Sequence, residues 1–90
     1  MVEEKSKPIY DSAESITESK ELILYNDDLN TFDFVIQTLI DVCKHDPLQA
    51  EQCSIIVHFK GKCAVKTGGY SELDPLKTEM GIRGLSCVIE

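Results

Sequence analysis

Two helix patterns follow one another with almost nothing between them, and they restrict the possible fold more than any other feature of this sequence. In the first, residues 30–45, apolar side chains recur at three- and four-residue steps and form one face: Phe32, Val35, Ile36, Leu39, Ile40 and Cys43. In the second, Asp46 is a typical N-cap, Pro47 suits the first helical position, and Gly61 follows the end. The short link predicts an antiparallel helix hairpin.

The ends and buried sides of these helices can also be predicted. Asn30 is the expected N-cap of the first helix, and Asp33 lies near the positive end of its dipole. In the second helix, Gln49 completes a capping box with Asp46. The side chains expected to define its buried side are Leu48, Gln52, Ile55, Ile56 and Phe59.

Short apolar runs before and after the hairpin indicate strands. Residues 21–26, "ELILYN", fit a buried or central strand, "KCAVKT" fits a second, and "LSCVI" alternates as a half-covered strand should. Between the last two, "SELDPLKTEMGIRG" predicts a shorter helix, with Ser71 or Asp74 as its cap and Pro75 in its first turn. The order predicts an α+β fold, in which helices pack on one face of a small three-stranded antiparallel sheet.

Length and charge limit the kinds of partner. Ninety residues support one domain with a modest core, so a deep cleft between two lobes is not expected. A formal net charge of -7 argues against binding to phosphate backbones or anionic lipid. We therefore expect no nucleic acid or membrane partner, but a protein, a peptide or a cation.

The first 19 residues differ in composition from the rest. They are rich in Glu, Ser, Lys and Thr, and their isolated apolar residues show no period. A flexible N-terminal extension over residues 1–19 and a folded domain over residues 20–90 are therefore predicted. No apolar run in the extension is long enough for a signal peptide, so a cytoplasmic location is expected.

The cysteines are Cys43, Cys53, Cys63 and Cys87, and no two of them form a C-x-x-C pair. Each lies within an apolar pattern, where a free thiol behaves as a small hydrophobic group. We expect buried reduced thiols, with disulfides or a metal site as alternatives. No cofactor is expected.

An amide and two carboxylates, Asn26, Asp27 and Asp28, stand between the first strand and the first helix. Such residues are common in turns because they bond their own backbone, but they can also accept hydrogen bonds from a cation. The predicted hairpin returns the end of the second helix, and with it His58, to this turn. A histidine on an apolar helix is more often structural, and its position here favours a site.

The predicted composite suits an α-amino group attached to a hydrophobic side chain. Carboxylate and amide oxygens and a neutral imidazole can accept the three hydrogen bonds of an ammonium group, and Phe32, Val35 and Val57 supply an adjoining apolar surface. Catalysis is a poorer explanation, because His45 lies at the opposite end of the hairpin and Ser54 has no evident base-orienting group. An enzyme is therefore not expected.

Three segments, "LILYNDDLNTFDFVI", "IIVHFKGK" and "LSCVIE", resemble the ClpS family of adaptors for the bacterial Clp protease. The match covers most of residues 20–90. The resemblance implies an N-end-rule recognition protein, and a monomer is expected. Such a protein binds substrates whose first residue is Leu, Phe, Tyr or Trp and passes them to the N-terminal domain of the ClpA unfoldase, an AAA+ protein, for degradation by ClpP. The extension before Lys20 resembles a family segment that helps to switch the unfoldase's substrate choice.

The resemblance also implies roles for individual residues. Those matching the family's α-amino-group site are Asn26, Asp28 and His58, and Asp27 matches as well. Those matching the side-chain pocket are Asn30, Phe32, Val35, Ser54, Val57 and Leu85. Phe32 and Ser54 stand where the family has methionines, which predicts a reshaped pocket. Glu72 and Lys77 match the unfoldase-docking region.

Two other functions remain open from the sequence. One is a protein-interaction module like the C-terminal domain of the bacterial ribosomal stalk protein. Such a module should carry a surface patch of lysines, and the net negative charge of this sequence argues against it. The other is a small hydrolase or metal-dependent enzyme.

Overall fold

The computed structural model describes residues 19–90, which contain three strands and three helices. In chain order these are β1 (Lys20–Tyr25), α1 (Phe32–Cys43), α2 (Pro47–Lys60), β2 (Lys62–Gly68), α3 (Tyr70–Ile82) and β3 (Ser86–Ile89). The strands form one antiparallel sheet in the order β2-β1-β3, so the predicted α+β fold is confirmed. The extension predicted over residues 1–19 lies, apart from Ser19, outside the described residues.

β1 is the central strand and carries much of the core. Leu22 and Leu24 are almost fully buried and belong to the main apolar cluster, while Ile23 between them points to the other face of the sheet. Pairing with β2 shifts register after Leu22, because Val65 is an extra residue in that strand. The predicted alternation of β3 is confirmed, with Cys87 half-buried and its neighbours exposed.

The N-cap predicted for α1 is wrong by one residue. Thr31 is the cap, and its hydroxyl accepts the backbone N–H of Phe34 at 3.1 Å. Asn30 does not cap the helix because its side-chain amide is bonded to Asp27 and to the carbonyl of Gly84. Within α1, the predicted apolar face is at least partly buried except for Phe32, which is exposed.

The ends of α2 are confirmed, but its predicted buried side is wrong. The Asp46 carboxylate accepts the N–H of Gln49 at 2.8 Å, and Gly61 ends the helix at φ +92°. The exposed side chains include all those predicted to be buried: Leu48, Gln52, Ile55, Ile56 and Phe59. The buried residues are instead Ala50, Ser54 and Val57. Because these side chains are small, α2 can pack closely against α1 and β2. Packing, and not hydrophobicity alone, therefore determines which side of α2 is buried.

α3 begins earlier than its sequence predicts. Gly69 is the N-cap, and its carbonyl accepts the N–H groups of Glu72 and Leu73. The predicted caps, Ser71 and Asp74, are therefore wrong. Pro75 lies inside the helix and not in its first turn.

All four cysteines are free thiols, as expected, but only Cys43 is fully buried. Burial raises the pKa of Cys87 to about 12, and burial together with the neighbouring Cys63 raises that of Cys53 to about 12. Within residues 19–90, no helix has both the length and the apolar character needed to cross a membrane.

Candidate functional site

A cavity of about 280 Å³ opens where the loop between β1 and α1 meets the C-terminal half of α2. Its lining residues are Asn26, Asp27, Asp28, Asn30, Phe32, Val35, Ser54, Val57 and His58. The cavity thus brings together all the predicted amine-binding residues and all the predicted pocket residues except Leu85. These positions lie far apart in the sequence and meet only through the fold.

Leu85 lines a smaller recess of about 20 Å³ beside this cavity. The two spaces share Asn26, Asp27, Asn30, Val35 and Val57 as lining residues. Leu24 and Tyr25 also line the recess and were not predicted as site residues. Their place at the end of β1, directly before the acidic loop of residues 26–31, could have indicated them from the sequence.

The antiparallel hairpin brings His58 to the start of α1. Phe32 is the first residue of α1 and His58 is near the end of α2, and their ring centroids are 5.3 Å apart. The His58 ring also makes an edge-on contact with Phe59. His58 itself is exposed, so its imidazole is accessible at the cavity.

Asp27 organises the loop. One of its carboxylate oxygens accepts the N–H groups of Leu29 and Asn30 at 2.8 and 2.9 Å, and the other accepts the Asn30 side chain at 2.9 Å. Burial raises the pKa of Asp27, but the hydrogen bonds from Asn30 and Leu29 outweigh it and leave the pKa below its ordinary value. The Asp27 charge is therefore held by the loop itself.

Two further bonds fasten the loop to other parts of the molecule. The N–H of Asn26 donates to the carbonyl of Gly61 at 2.9 Å, just after α2. The side chain of Asn30 donates to the carbonyl of Gly84 at 3.0 Å, between α3 and β3. Asn26 and Asp28, whose side chains are exposed, thus stand on a loop that is held at both ends.

The charge of the cavity is negative. Two carboxylates, of Asp27 and Asp28, line it, and no lysine or arginine is among the described residues that do so. Val35 is half-buried and Val57 is buried beside these polar groups. The arrangement can hold a cation against an apolar surface.

The predicted docking residues lie elsewhere. Glu72 and Lys77 are exposed on α3, and neither lines a cavity described above. Glu72 and Lys77 are five positions apart, which corresponds to a rotation of about 140° around the helix, so they lie on different sides of α3. The Glu72 carboxylate lies over Gly68, where a Cβ atom would collide with it.

A second cavity, of about 320 Å³, lies at the other end of the hairpin and was not predicted. Lys44, His45, Gln49 and Lys66 are among the residues that line it. His45 is buried there and bonds the carbonyl of Val65 through Nε2 at 2.6 Å. His45 lies at the opposite end of the hairpin from His58, as the sequence predicted.

The sequence from residue 17 to 87 matches the family model of the ATP-dependent Clp protease adaptor protein ClpS. The ATP-dependent Clp protease adapter protein ClpS of Nitratidesulfovibrio vulgaris (strain DSM 19637 / Miyazaki F) is 38% identical over 53 residues, which are 57% of this chain and 53% of that protein. The chain thus matches about half the length of this curated relative.

A similar fold is present in the structure of Agrobacterium tumefaciens ClpS2 bound to L-phenylalaninamide. The TM-score is 0.68 at 18% sequence identity, over 80% of this chain and 94% of that one. Because the family model spans most of the sequence and the fold agrees with it, the chain belongs to the ClpS family, the adaptor proteins of the ATP-dependent Clp protease.

Proposed function

We propose that this adaptor captures polypeptides by a free α-amino group and a bulky hydrophobic first residue. It then delivers them to the ClpA unfoldase of the ClpAP protease and so modulates the unfoldase's choice of substrate. The observation that carries the proposal is the cavity itself, in which carboxylate, amide and imidazole groups stand beside the half-buried Val35 and the buried Val57.

The polar side of the cavity matches the chemistry of an α-ammonium group. That group has three N–H donors and a positive charge, and Asn26, Asp28 and His58 offer an amide oxygen, a carboxylate and an imidazole nitrogen. A hydrogen bond to a charged group contributes about 1.5–3 kcal/mol. Exposure of all three side chains lowers this through solvent screening.

The apolar side of the cavity matches a large side chain. Val35 and Val57 supply apolar surface, and the ring of Phe32 stands at the same opening. Burying a Leu or Phe side chain contributes about 1.5–3 kcal/mol. The recess beside Leu85 extends the space available to such a side chain.

The loop is fixed by hydrogen bonds within the protein. Asp27 and Asn30 hold it by internal hydrogen bonds and by the bond to Gly84, so little ordering is left to be done on binding. Rigid acceptors cost less conformational entropy than mobile ones, and a small site gains affinity from this.

The ligand in the Agrobacterium tumefaciens ClpS2 structure has the chemistry inferred here. L-Phenylalaninamide combines a free α-amino group with a benzyl side chain. The likeness between that protein and this one lies in the fold, and it supports the proposal at this level.

Fluorescence anisotropy with a labelled peptide that begins with Leu, compared with its N-acetylated twin, tests recognition of the amine. Acetylation removes the charge and two donors, so we expect at least about tenfold weaker binding, the equivalent of one charge-assisted bond. Equal affinities of the twins would refute an amine-reading site.

His58→Ala should weaken binding of the free peptide while leaving the urea midpoint unchanged, because the side chain is exposed. Gln52→Ala is the matched control, since Gln52 is exposed on the same helix and lies outside the cavity lining. Similar affinities for the two variants would remove His58 from the site.

Delivery is tested with the complete protease. A reporter that begins with Leu should be degraded by ClpAP faster in the presence of the adaptor, and an otherwise identical reporter that begins with Ala should not. Glu72 and Lys77, on α3, are the residues proposed for contact with the N-terminal domain of ClpA. If Glu72→Ala and Lys77→Ala each retain peptide binding and full delivery, the contact must lie elsewhere.

A further inference from the structure

One polar group in the cavity lining has no role in amine binding. Ser54 is only 2% exposed, and its hydroxyl is a buried oxygen without a hydrogen-bond partner in the described structure. Buried hydroxyl groups are almost always paired, because leaving one unpaired forfeits its hydrogen bonds to water. This exception lies at a binding cavity.

The local backbone could have satisfied this hydroxyl. A Ser or Thr inside a helix commonly donates to the carbonyl four residues earlier, and Thr38 on α1 does so, with 2.8 Å to the carbonyl of Phe34. Ser54 makes no such bond. The side chain is thus held in the cavity lining with a donor and an acceptor to spare.

The place of Ser54 suits the far end of a bound side chain. It precedes His58 by four residues, which puts it one turn away on the same side of α2, about 6 Å along the axis. An aromatic side chain can span that distance, whereas a short polar one cannot. A volume of about 280 Å³ would hold about nine water molecules at liquid density and can accept an aromatic ring.

We propose that Ser54 makes the cavity selective for an aromatic first residue with a polar tip, tyrosine above all, over phenylalanine and leucine. The inference rests on the proposed function and specifies its substrate class. On binding, the Ser54 hydroxyl, which is closed to water in the free protein, turns toward the cavity and bonds the phenol oxygen, which a phenylalanine ring lacks. Val35 and Val57 provide apolar contact to the ring and do not distinguish the two residues.

The test compares peptides that differ only in the first residue: Tyr, Phe and 4-methylphenylalanine, each with its N-acetylated twin. 4-Methylphenylalanine resembles Tyr in size but cannot form the hydrogen bond. One neutral hydrogen bond corresponds to about two- to twelvefold in affinity, so Tyr should bind tighter than both others by a factor in that range. Tyr binding no tighter than 4-methylphenylalanine would overturn the proposal.

Ser54→Ala should abolish the preference, so that Tyr and Phe peptides bind with equal affinity. Thr38→Val is the matched control, since it deletes a buried hydroxyl outside the cavity and should keep the preference for Tyr. Selectivity that survives Ser54→Ala would also overturn the proposal. If acetylation affects Tyr and Phe peptides alike while Tyr has no advantage, the selectivity fails and amine recognition stands. If acetylation affects no peptide, the proposed function itself fails.

Discussion

Asn30→Asp is the sharpest test of how the acidic loop is held. In the protein, the Asn30 amide donates to the Asp27 carboxylate at 2.9 Å and to the Gly84 carbonyl at 3.0 Å. The substitution keeps the shape of the side chain but replaces the donor by a second carboxylate. Two hydrogen bonds are lost, and two negative charges face each other.

The magnitude follows from these two changes. Two unit charges about 4 Å apart repel by about 1 kcal/mol in water and about 4 kcal/mol at an effective dielectric constant of 20. Both side chains are partly exposed, so about 2 kcal/mol is appropriate. The lost hydrogen bonds add about 1–2 kcal/mol. We expect the free energy of unfolding to fall by about 3–4 kcal/mol near neutral pH.

The dependence on pH identifies the cause. In the natural protein the pKa of Asp27 is lowered, so the native state binds fewer protons and this contribution to stability is lost as pH falls through that pKa. In the variant, repulsion raises the pKa of the carboxyl pair, the native state binds more protons, and the penalty is relieved as pH falls. The difference in stability between the two proteins should therefore narrow between about pH 7 and about pH 4.

Urea unfolding followed by circular dichroism measures this difference at both pH values. Asn30→Ala is the matched control, because it removes the same hydrogen bonds without adding a charge, and it should cost about 1–2 kcal/mol. An equal loss in the Asp and Ala variants, with the same pH dependence, would refute this account of the loop.

Three further predictions concern the frame of the fold. Thr31→Ala removes the N-cap of α1 and should lower the free energy of unfolding, measured in urea, by about 1 kcal/mol. An unchanged free energy of unfolding would mean that another group caps the helix. Gly61→Ala should lower the free energy of unfolding by about 1–2 kcal/mol because φ at this position is +92°. Gly81→Ala, inside α3 with open space around it, should raise the free energy of unfolding by about 0.5–1 kcal/mol. Changes of the same sign in the two variants would contradict the backbone assignment. Iodoacetamide should alkylate Cys53 and Cys87 much more slowly in the native protein than in urea, because their pKa values of about 12 leave little thiolate; equal rates would contradict that shift.

The period of apolar residues predicted α1 well and failed for α2. In α1 the predicted face lies toward the core from Val35 onward, with Leu39 and Cys43 buried, while Phe32 and Phe34 in the first turn are exposed. In α2 the large side chains Leu48 and Phe59 are 63% and 77% exposed, while Ala50 is buried. Close approach of two helices and a sheet selects small side chains, and this depends on the packing partner, which the sequence of one helix does not contain.

The sequence of the acidic loop predicted both a turn and a candidate site, and in the structure the two interpretations apply to different residues. The spacing of Asp27 and Asn30 is typical of a side chain that bonds its own backbone, and Asp27 does so. Asn26 and Asp28 line the cavity with exposed side chains. The bond from Asn30 to Gly84 could not be predicted, because it joins positions 54 residues apart through the tertiary fold.

The proposed site therefore separates the groups that bind from those that give it shape. Asn26, Asp28 and His58 are exposed, so substituting them removes few contacts on which the fold depends. Asp27 and Asn30 are less exposed and bond within the protein, so their substitution alters the loop first and affinity only as a result. An adaptor has to release what it delivers, and a site whose charged contacts remain open to water gains less from each of them. The geometry thus favours binding that is readily reversed.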